Sequence, residues 1–302
     1  MQDYWLIIVM GTLMGFLARL LFLRVDYRQY PSYPHGYVTH LALGFIAASL
    51  GAVAVRAFVE REFTAVTFLA LAAQQFRDIR SMERDALVAL EDTELVPRGN
   101  DYIENIARIF EARNYLAMLT AFVTSCVLQF APLGPTYKLA MAILAGFACI
   151  IFVGRILHWK RIGDIAQVVP FQLKFEGPSL FVDDVYITNV AIPEHREFIS
   201  KYGLGVLIKP KNDNARAILA NVGQRKAIIH DCAAILGIRK DYHTPEFTPI
   251  AKRDLDTGKV GMAIVPMEPD MDSLLAIIRR VTVLESTKKM PLQTKAGRIA
   301  SD

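Results

Sequence analysis

WLIIVMGTLMGFLARLLFL, residues 5–23, is an apolar run that carries a single charge, Arg19. A helix of this length spans about 30 Å, which matches the hydrocarbon core of a bilayer. No basic stretch precedes the run and no small-residue cleavage site follows it, so we interpret it as a retained membrane anchor rather than a signal peptide. Arg19 lies within a turn of its end, and we expect this side chain to reach the polar interface.

Further apolar runs follow in the first half of the chain. Residues 37–57, 115–131 and 138–157 are each long enough for a span, and the turn at 132–135 makes the last two an antiparallel hairpin. Residues 63–76 are shorter, so they complete a fifth span, lie in the interface or form a re-entrant segment. The sequence therefore predicts a polytopic α-helical membrane domain of four or five spans.

Positive charge predicts how these spans are oriented. Basic residues cluster at the end of the last run, at Arg155, His158, Lys160 and Arg161. Because such residues favour the cytoplasmic side, we expect residues 158–302 in the cytoplasm and a multi-pass protein of the cell membrane. The side of the N-terminus depends on whether residues 63–76 cross the bilayer.

The composition separates the two halves of the chain. Of its 302 residues, 53% are apolar and 21% are charged, with a mean hydropathy of +0.29 and a net charge of +4. Residues 1–161 hold nearly all the long apolar runs, so we define them as the transmembrane domain. This composition excludes a fully soluble enzyme, an intrinsically disordered chain, a collagen-like chain and a small disulfide scaffold. The nearly balanced charge argues against a nucleic-acid partner.

Gly11 and Gly15 are four residues apart in the first run. Small residues at this spacing let another helix approach closely, so both are candidate helix-packing positions. Ordinary packing against lipid is the alternative. Small-residue faces of this kind also allow a homo-oligomer in the bilayer.

A cytoplasmic helical segment is predicted at 77–113, within the first domain. Residues 77–94 have the apolar spacing of an amphipathic helix, and LVPRGN at 95–100 breaks that helix. Asn100 or Asp101 can cap the helix that follows, because their side chains accept hydrogen bonds from its free N–H groups.

This second helix contains a hexapeptide that carries a family resemblance: Tyr102, Ile103, Glu104, Asn105, Ile106 and Ala107. The hexapeptide and the neighbouring AAQQFRDIRSMER at 72–84 resemble the YIEGIA family of integral membrane proteins from endospore-forming bacteria, with Asn105 in place of the family's glycine. Spans followed by a cytoplasmic tail also agree with that family. The resemblance implies a role in sporulation, in a forespore or mother-cell membrane, and it transfers no catalytic residue.

The second half of the chain alternates between strands and helices. Predicted strands cover 169–177, 179–190, 205–210 and 261–267, and predicted helices cover 193–202, 213–236 with a break at Gly223, and 271–286 with a cap at Asp270. Residues 239–259 are predicted to be a loop. We therefore predict a cytoplasmic α/β domain at 162–286, arranged as a small open sandwich, and a mobile basic tail at 287–302 with Lys288, Lys289, Lys295 and Arg298.

Three carboxylates are the candidate catalytic residues. Asp183 and Asp184 are adjacent, but on a strand they point to opposite faces. Asp231 follows His230 on a helix, where the two side chains also diverge. Aspartic-protease chemistry needs two carboxylates in one site, so the fold would have to supply a partner from elsewhere.

No cofactor or metal is expected. The histidines and the three cysteines lack the spacing of a zinc site or a redox pair. The second half contains no nucleophile elbow, phosphate-binding loop or dinucleotide fingerprint.

The sequence leaves two functional hypotheses from different classes. The first is a scaffold or regulator whose cytoplasmic domain binds a protein partner during spore formation. The second is a membrane-bound hydrolase, in particular a protease, that uses Asp183, Asp184 or Asp231. Transport is disfavoured, because one deep charge offers few polar groups for a pathway.

Overall fold

A computed structural model of the protein describes residues 2–26, 34–156, 160–288 and 293–296. His158 of the predicted basic cluster, and Lys289 and Arg298 of the predicted tail, lie outside the described residues. The chain divides into two compact units. The helical unit is Met1–Asp85 with Ile106–His158, and the sheet unit is Ala86–Asn105 with Trp159–Asp302. The sequence-based boundary at residue 161 had placed the segment 77–113 entirely in the first domain.

The helical unit is built from α1 (Gln2–Asp26), α2 (Pro34–Val59), most of α3 (Phe63–Leu90), most of α4 (Asn100–Phe130) and α5 (Pro135–Ile156). Among the described residues, three stretches are long and apolar enough to cross a membrane: Tyr4–Leu23, Tyr37–Val59 and Pro135–Arg155. They correspond to the first, second and last of the predicted spans. The predicted span at 115–131 is the second half of α4 and is not among the three.

Small residues bring α1, α2 and α4 into close contact. A Cβ at Gly15 would overlap the carbonyl of Ala117, and a Cβ at Gly51 would overlap the carbonyl of Met118. Gly11 lies in the same way against Ser125. The face that carries Gly11 and Gly15 is therefore covered by helices of the same chain, which leaves no room there for side chains larger than hydrogen.

The sheet unit contains two antiparallel sheets. The four-stranded sheet has the order β1-β5-β7-β6 and the three-stranded sheet the order β2-β3-β4. The strands are β1 (Ala166–Phe171), β2 (Leu173–Glu176), β3 (Ser179–Val182), β4 (Val185–Asn189), β5 (Leu204–Pro210), β6 (Ile250–Arg253) and β7 (Val260–Ile264). The helices are α6 (Ile162–Ile165), α7 (Pro193–Tyr202), α8 (Asp213–Ala220), α9 (Val222–Leu236) and α10 (Met271–Arg280), with 3-10 turns at Glu91–Thr93, Pro245–Phe247 and Glu285–Thr287.

Both faces of the four-stranded sheet are buried. Val206 and Ile208 of β5 pack with Ile228 of α9 in one core, whereas Leu207 packs with Ile187 of β4 in the other. Successive strand residues point to opposite faces, which is why β5 reads as a continuous apolar run. The unit therefore has a helix layer, the four-stranded sheet and the three-stranded sheet, and the coarse prediction of a helix-and-sheet domain is confirmed.

Several predicted elements need correction. The strand predicted at 179–190 is a hairpin of β3 and β4, and the loop predicted at 239–259 contains the edge strand β6. The break predicted at Gly223 falls at Asn221, whose side chain accepts hydrogen bonds from Gly223 and Gln224 N–H and so caps α9. The last helix ends at Arg280 rather than 286, while its predicted cap at Asp270 is confirmed.

The close approach of α2 and α4 gives a first testable prediction. Gly51→Leu forces a side chain against the backbone carbonyl of Met118, and overpacking that only backbone movement can relieve should cost about 3 kcal/mol or more. Gly134→Leu is the matched control, because no atom lies within 4 Å of its Cβ position. We expect the thermal unfolding midpoint in detergent to fall clearly for the first variant only. Equal midpoints for the two variants would contradict the close contact.

Candidate functional site

The three candidate carboxylates are divided between two layers of the sheet unit. Asp183 and Asp184 form the turn between β3 and β4, so the expectation that they lie on a strand is wrong. Asp183 adopts φ 56°, and its Oδ2 is 3.5 Å from Lys259 Nζ. Asp231 belongs to α9, on the other side of the four-stranded sheet. The fold does not bring these carboxylates into one site.

Asp231 instead meets the hexapeptide. The Tyr102 hydroxyl donates a hydrogen bond of 2.7 Å to Asp231 Oδ1, and the Tyr102 side chain is 1% exposed. The Tyr102 ring also packs edge-on against the His230 ring, with 6.1 Å between centroids. The first residue of the hexapeptide is thus fastened to α9 through a bond that joins positions 129 residues apart.

The segment before α4 is held in the same way by α9 and by the loop that follows it. His230 Nδ1 lies 2.7 Å from the carbonyl oxygen of Val96, which can only accept, so Nδ1 carries the donated proton. Lys240 Nζ donates to the carbonyl of Leu95 at 2.7 Å. Burial lowers the pKa of His230, which keeps its imidazole neutral at physiological pH.

Arg98 organises the loop between α3 and α4. Its side chain is buried, with Nη1 3.0 Å from Glu94 Oε1 and 3.6 Å from Glu91 Oε1. The Glu91 carboxylate also accepts hydrogen bonds from the backbone N–H groups of Arg98 and Gly99. The sequence analysis recognised only a helix break here, because charged residues seven positions apart show no periodic signal.

The fourth residue of the hexapeptide holds a second part of the chain. Asn105 Oδ1 accepts a hydrogen bond of 3.0 Å from the backbone N–H of Glu285. Gln224 of α9 accepts from Leu284 N–H at 2.8 Å and from the Thr287 hydroxyl at 3.2 Å. Thr287 is fully buried, so the predicted mobile tail does not begin at this residue. A glycine at position 105 has no side chain to make this contact.

We call this arrangement the motif clamp: Tyr102 on Asp231, Asn105 on Glu285, and His230 on Val96. Glu104 of the hexapeptide is half-buried, while Ile103, Ile106 and Ala107 are fully buried. Ile106 and Ala107 belong to the helical unit, so the hexapeptide crosses the division between the two units. The family motif therefore consists mostly of buried side chains rather than of exposed binding residues.

The electrostatics of the clamp fit a fastening role better than a reactive one. Burial raises the pKa of Asp231 to about 6, against the opposing effect of the Tyr102 hydroxyl and Arg98. Burial, and then the Asp231 charge, raise the pKa of Tyr102 well above its ordinary value, so the phenol stays protonated and donates. The neighbouring Cys232 thiol has its pKa raised by burial, which makes it a poor nucleophile. Among the described residues, no three potential metal ligands come together.

The helical unit buries more polar groups than the sequence suggested. Arg19 is fully buried instead of reaching an interface, with Nη2 3.0 Å from His40 Nδ1 and the guanidinium 5.7 Å from the centre of the Phe110 ring. Arg113 Nη1 donates to the carbonyl of Phe22 at 3.3 Å. No motif marks these residues, since their proximity depends on how three helices pack.

Two comparisons bear on identity. A family model described as "YIEGIA protein" matches residues 7–294. The Bacillus subtilis (strain 168) protein named "Uncharacterized protein YphB" is 42% identical over 293 residues, which cover 97% of each chain. No solved structure matches the chain.

The bond between Tyr102 and Asp231 gives the second prediction. Tyr102→Phe removes the donor and leaves a buried carboxylate without this partner, which should cost about 1–3 kcal/mol. We expect amide hydrogen exchange in 95–105 and in α9 to become about 5- to 150-fold faster in the full-length protein. Tyr186→Phe is the control, because this half-exposed hydroxyl makes no hydrogen bond among the described residues. Unchanged exchange in Tyr102→Phe would rule out the clamp.

The raised pKa of Asp231 gives the third prediction. Folding takes this pKa from 3.8 to about 6, so the folded protein binds the proton more tightly than the unfolded chain. Protection of α9 should therefore decrease as the pH rises from about 4 to about 6, by up to about 3 kcal/mol, and stay low above that window. Asp231→Asn should remove this dependence, whereas Asp256→Asn, at an exposed position, should keep it. A pH profile that is the same in all three proteins would contradict the assignment.

Proposed function

The chain belongs to the YIEGIA protein family, and we propose that it is a multi-span membrane protein that acts in spore formation as a scaffold or regulator. In this proposal the sheet unit lies in the cytoplasm and binds a protein partner. The role in sporulation rests on the family resemblance, and the scaffolding role rests on the geometry of the motif.

The main support for the scaffolding role is that the hexapeptide makes contacts inside the protein. Tyr102 and Asn105 are almost completely buried, and the Tyr102 hydroxyl and Asn105 Oδ1 bind Asp231 and the backbone of Glu285. A motif that served as a catalytic or ligand-binding sequence would keep polar atoms available to a substrate. Here the motif fixes the structure of the sheet unit, which favours a protein that presents a surface over one that performs a reaction.

We further propose that the second half of α4 is a fourth span. Its hydroxyl-bearing residues Thr120, Thr124 and Ser125 are fully buried in the bundle. Thr124 Oγ1 donates to the carbonyl of Thr120 at 2.8 Å, and Ser125 Oγ donates to the carbonyl of Ile7 at 3.2 Å. Polar groups that are satisfied inside a bundle are tolerated at membrane depth. The basic Arg155, Lys160 and Arg161 then favour a cytoplasmic sheet unit.

The alternative proposal, a membrane-bound hydrolase, lacks a convergent site among the described residues. Asp183 and Asp184 lie in an outer turn, and Asp231 is engaged by Tyr102. Two carboxylates that share one site are the minimum for aspartic-protease chemistry. This separation is why we rank the scaffold or regulator first.

The fourth prediction tests both proposals in Bacillus subtilis 168 from which the gene for the 42% identical relative has been deleted. We expect the deletion to lower the count of heat-resistant spores at least tenfold and the full chain to restore it. A chain that ends at residue 161 should reach the membrane fraction but fail to restore spores, because it lacks residues 162–302 of the proposed partner-binding unit. The chain with Asp183→Ala and Asp184→Ala should restore them fully.

Three outcomes would count against these proposals. An unchanged spore count after deletion would remove the role in spore formation. Rescue by the chain that ends at residue 161 would remove the role of the sheet unit. Loss of rescue in the double alanine variant, at a normal protein level, would favour the hydrolase instead.

A further inference from the structure

Two arginines lie where the edge strand β6 packs against α9. Arg225 lies in the first turns of α9, and Arg253 is the last residue of β6. Ala251 packs against the core cluster that contains Ile228 of α9. Because residues two apart on a strand share a face, Arg253 is on the same side of the sheet as Ala251, toward α9. Ile238, just after α9, pairs with Pro266, just after β7, whereas Arg253 pairs with Val260 at the start of β7. The end of α9 therefore lies beside the end of β7, and Arg253 lies at the opposite end of the sheet, toward the start of α9 that carries Arg225.

Neither guanidinium has a partner among the described residues. Arg225 and Arg253 make no side-chain hydrogen bond or ion pair there, and Arg225 Nε is shielded from solvent without an acceptor. Burial and the nearby Arg253 charge lower the pKa of Arg225. Two partly buried like charges in one corner repel each other, and each leaves strong donors unused.

Other arginines of the same unit show how the fold normally treats such groups. Arg98 is paired with Glu91 and Glu94, and Arg239 donates to the carbonyls of Pro266 and Met267. Arg216 donates to two backbone carbonyls of the loop that follows β6. The corner at Arg225 and Arg253 differs because the residues that the structure describes supply no acceptor to either side chain.

We propose that Arg225 and Arg253 together bind a phosphate group. A guanidinium presents a planar fork of N–H donors that matches phosphate oxygens, and two of them balance the charge of a phosphate dianion. The start of α9 adds a favourable positive potential, although Asn221 already occupies the N–H groups of Gly223 and Gln224. The side chains therefore make the contacts, and the helix contributes only its field.

The phosphate has two chemical sources, a small soluble ligand or a phospholipid headgroup. Both present the same anionic oxygens. The position of the two arginines therefore indicates a phosphate group, and the experiment distinguishes the soluble ligand from the lipid headgroup. This inference is independent of the proposed function, because a scaffold and a hydrolase could each carry such a site.

The test uses the full-length protein in a phosphate-free maltoside detergent at constant ionic strength. In one arm inorganic phosphate is titrated by calorimetry, and in the other arm the micelles are doped with phosphatidylglycerol. We expect saturable binding in at least one arm, and at least tenfold weaker binding in Arg225→Gln and in Arg253→Gln. Arg280→Gln, which removes the same charge from an exposed position at the end of α10, should bind like the unchanged protein.

Thermal unfolding midpoints, measured with and without ligand, distinguish a loss of phosphate binding from a loss of folding. Without phosphate, Arg253→Gln should unfold at or above the midpoint of the unchanged protein, because it removes a repulsion. With the ligand of the successful arm, the midpoint should rise for the unchanged protein and for Arg280→Gln but not for the two corner variants.

Each outcome decides the question. Binding of inorganic phosphate that depends on both arginines supports a soluble ligand, and binding restricted to phosphatidylglycerol supports a lipid headgroup. Absence of saturable binding in both arms overturns the proposal. Equal binding by the unchanged protein and both corner variants overturns it as well.

Discussion

The Tyr102 hydroxyl and the Asn105 amide are removed from water, and a buried polar group destabilises a fold unless another group takes the place of the solvent. In this protein Asp231 is the partner of the Tyr102 hydroxyl, and the backbone N–H of Glu285 is the partner of Asn105 Oδ1. The same two bonds connect the start of α4 with α9 and with the segment after α10. The arrangement of the sheet unit around the hexapeptide depends on these bonds.

One of these two bonds depends on the asparagine side chain at position 105. The family hexapeptide has glycine at that position, and only a side chain with an acceptor can bind the Glu285 N–H. Gln224 binds the same segment from α9, at Leu284 and Thr287. The segment after α10 is therefore held from two sides, which explains why Thr287 is buried although the sequence predicts a mobile tail from this residue.

Local chemistry made part of the fold predictable. Apolar runs identified α1, α2 and α5 because hydrophobic length is a property of contiguous sequence. Pro193 and Asp270 marked the starts of α7 and α10 through backbone effects within one turn. The edge strand β6 was missed because it has only four residues, next to turn residues that suggest a loop.

The candidate site was less predictable, because its contacts join distant positions. Asp231 and the hexapeptide were both singled out, but no local pattern indicates that residues 129 apart form a hydrogen bond. Arg19 shows the same limit. Its place near the end of an apolar run suggested an interface, and only helix packing reveals that His40 and Phe110 surround it. Tertiary contacts, not residue types, decide whether a charged group is a surface feature or part of the interior.

The most direct test of this account is a double-mutant cycle on the clamp. Tyr102→Phe, Asp231→Ala and the double variant would be compared in the full-length protein by the free energy of opening of α9 at neutral pH, measured by hydrogen exchange. The account predicts a coupling energy of about 1–3 kcal/mol between the two positions, because each side chain loses its partner when the other is changed. Additivity within about 0.5 kcal/mol would contradict it, since independent side chains do not fasten one element to another.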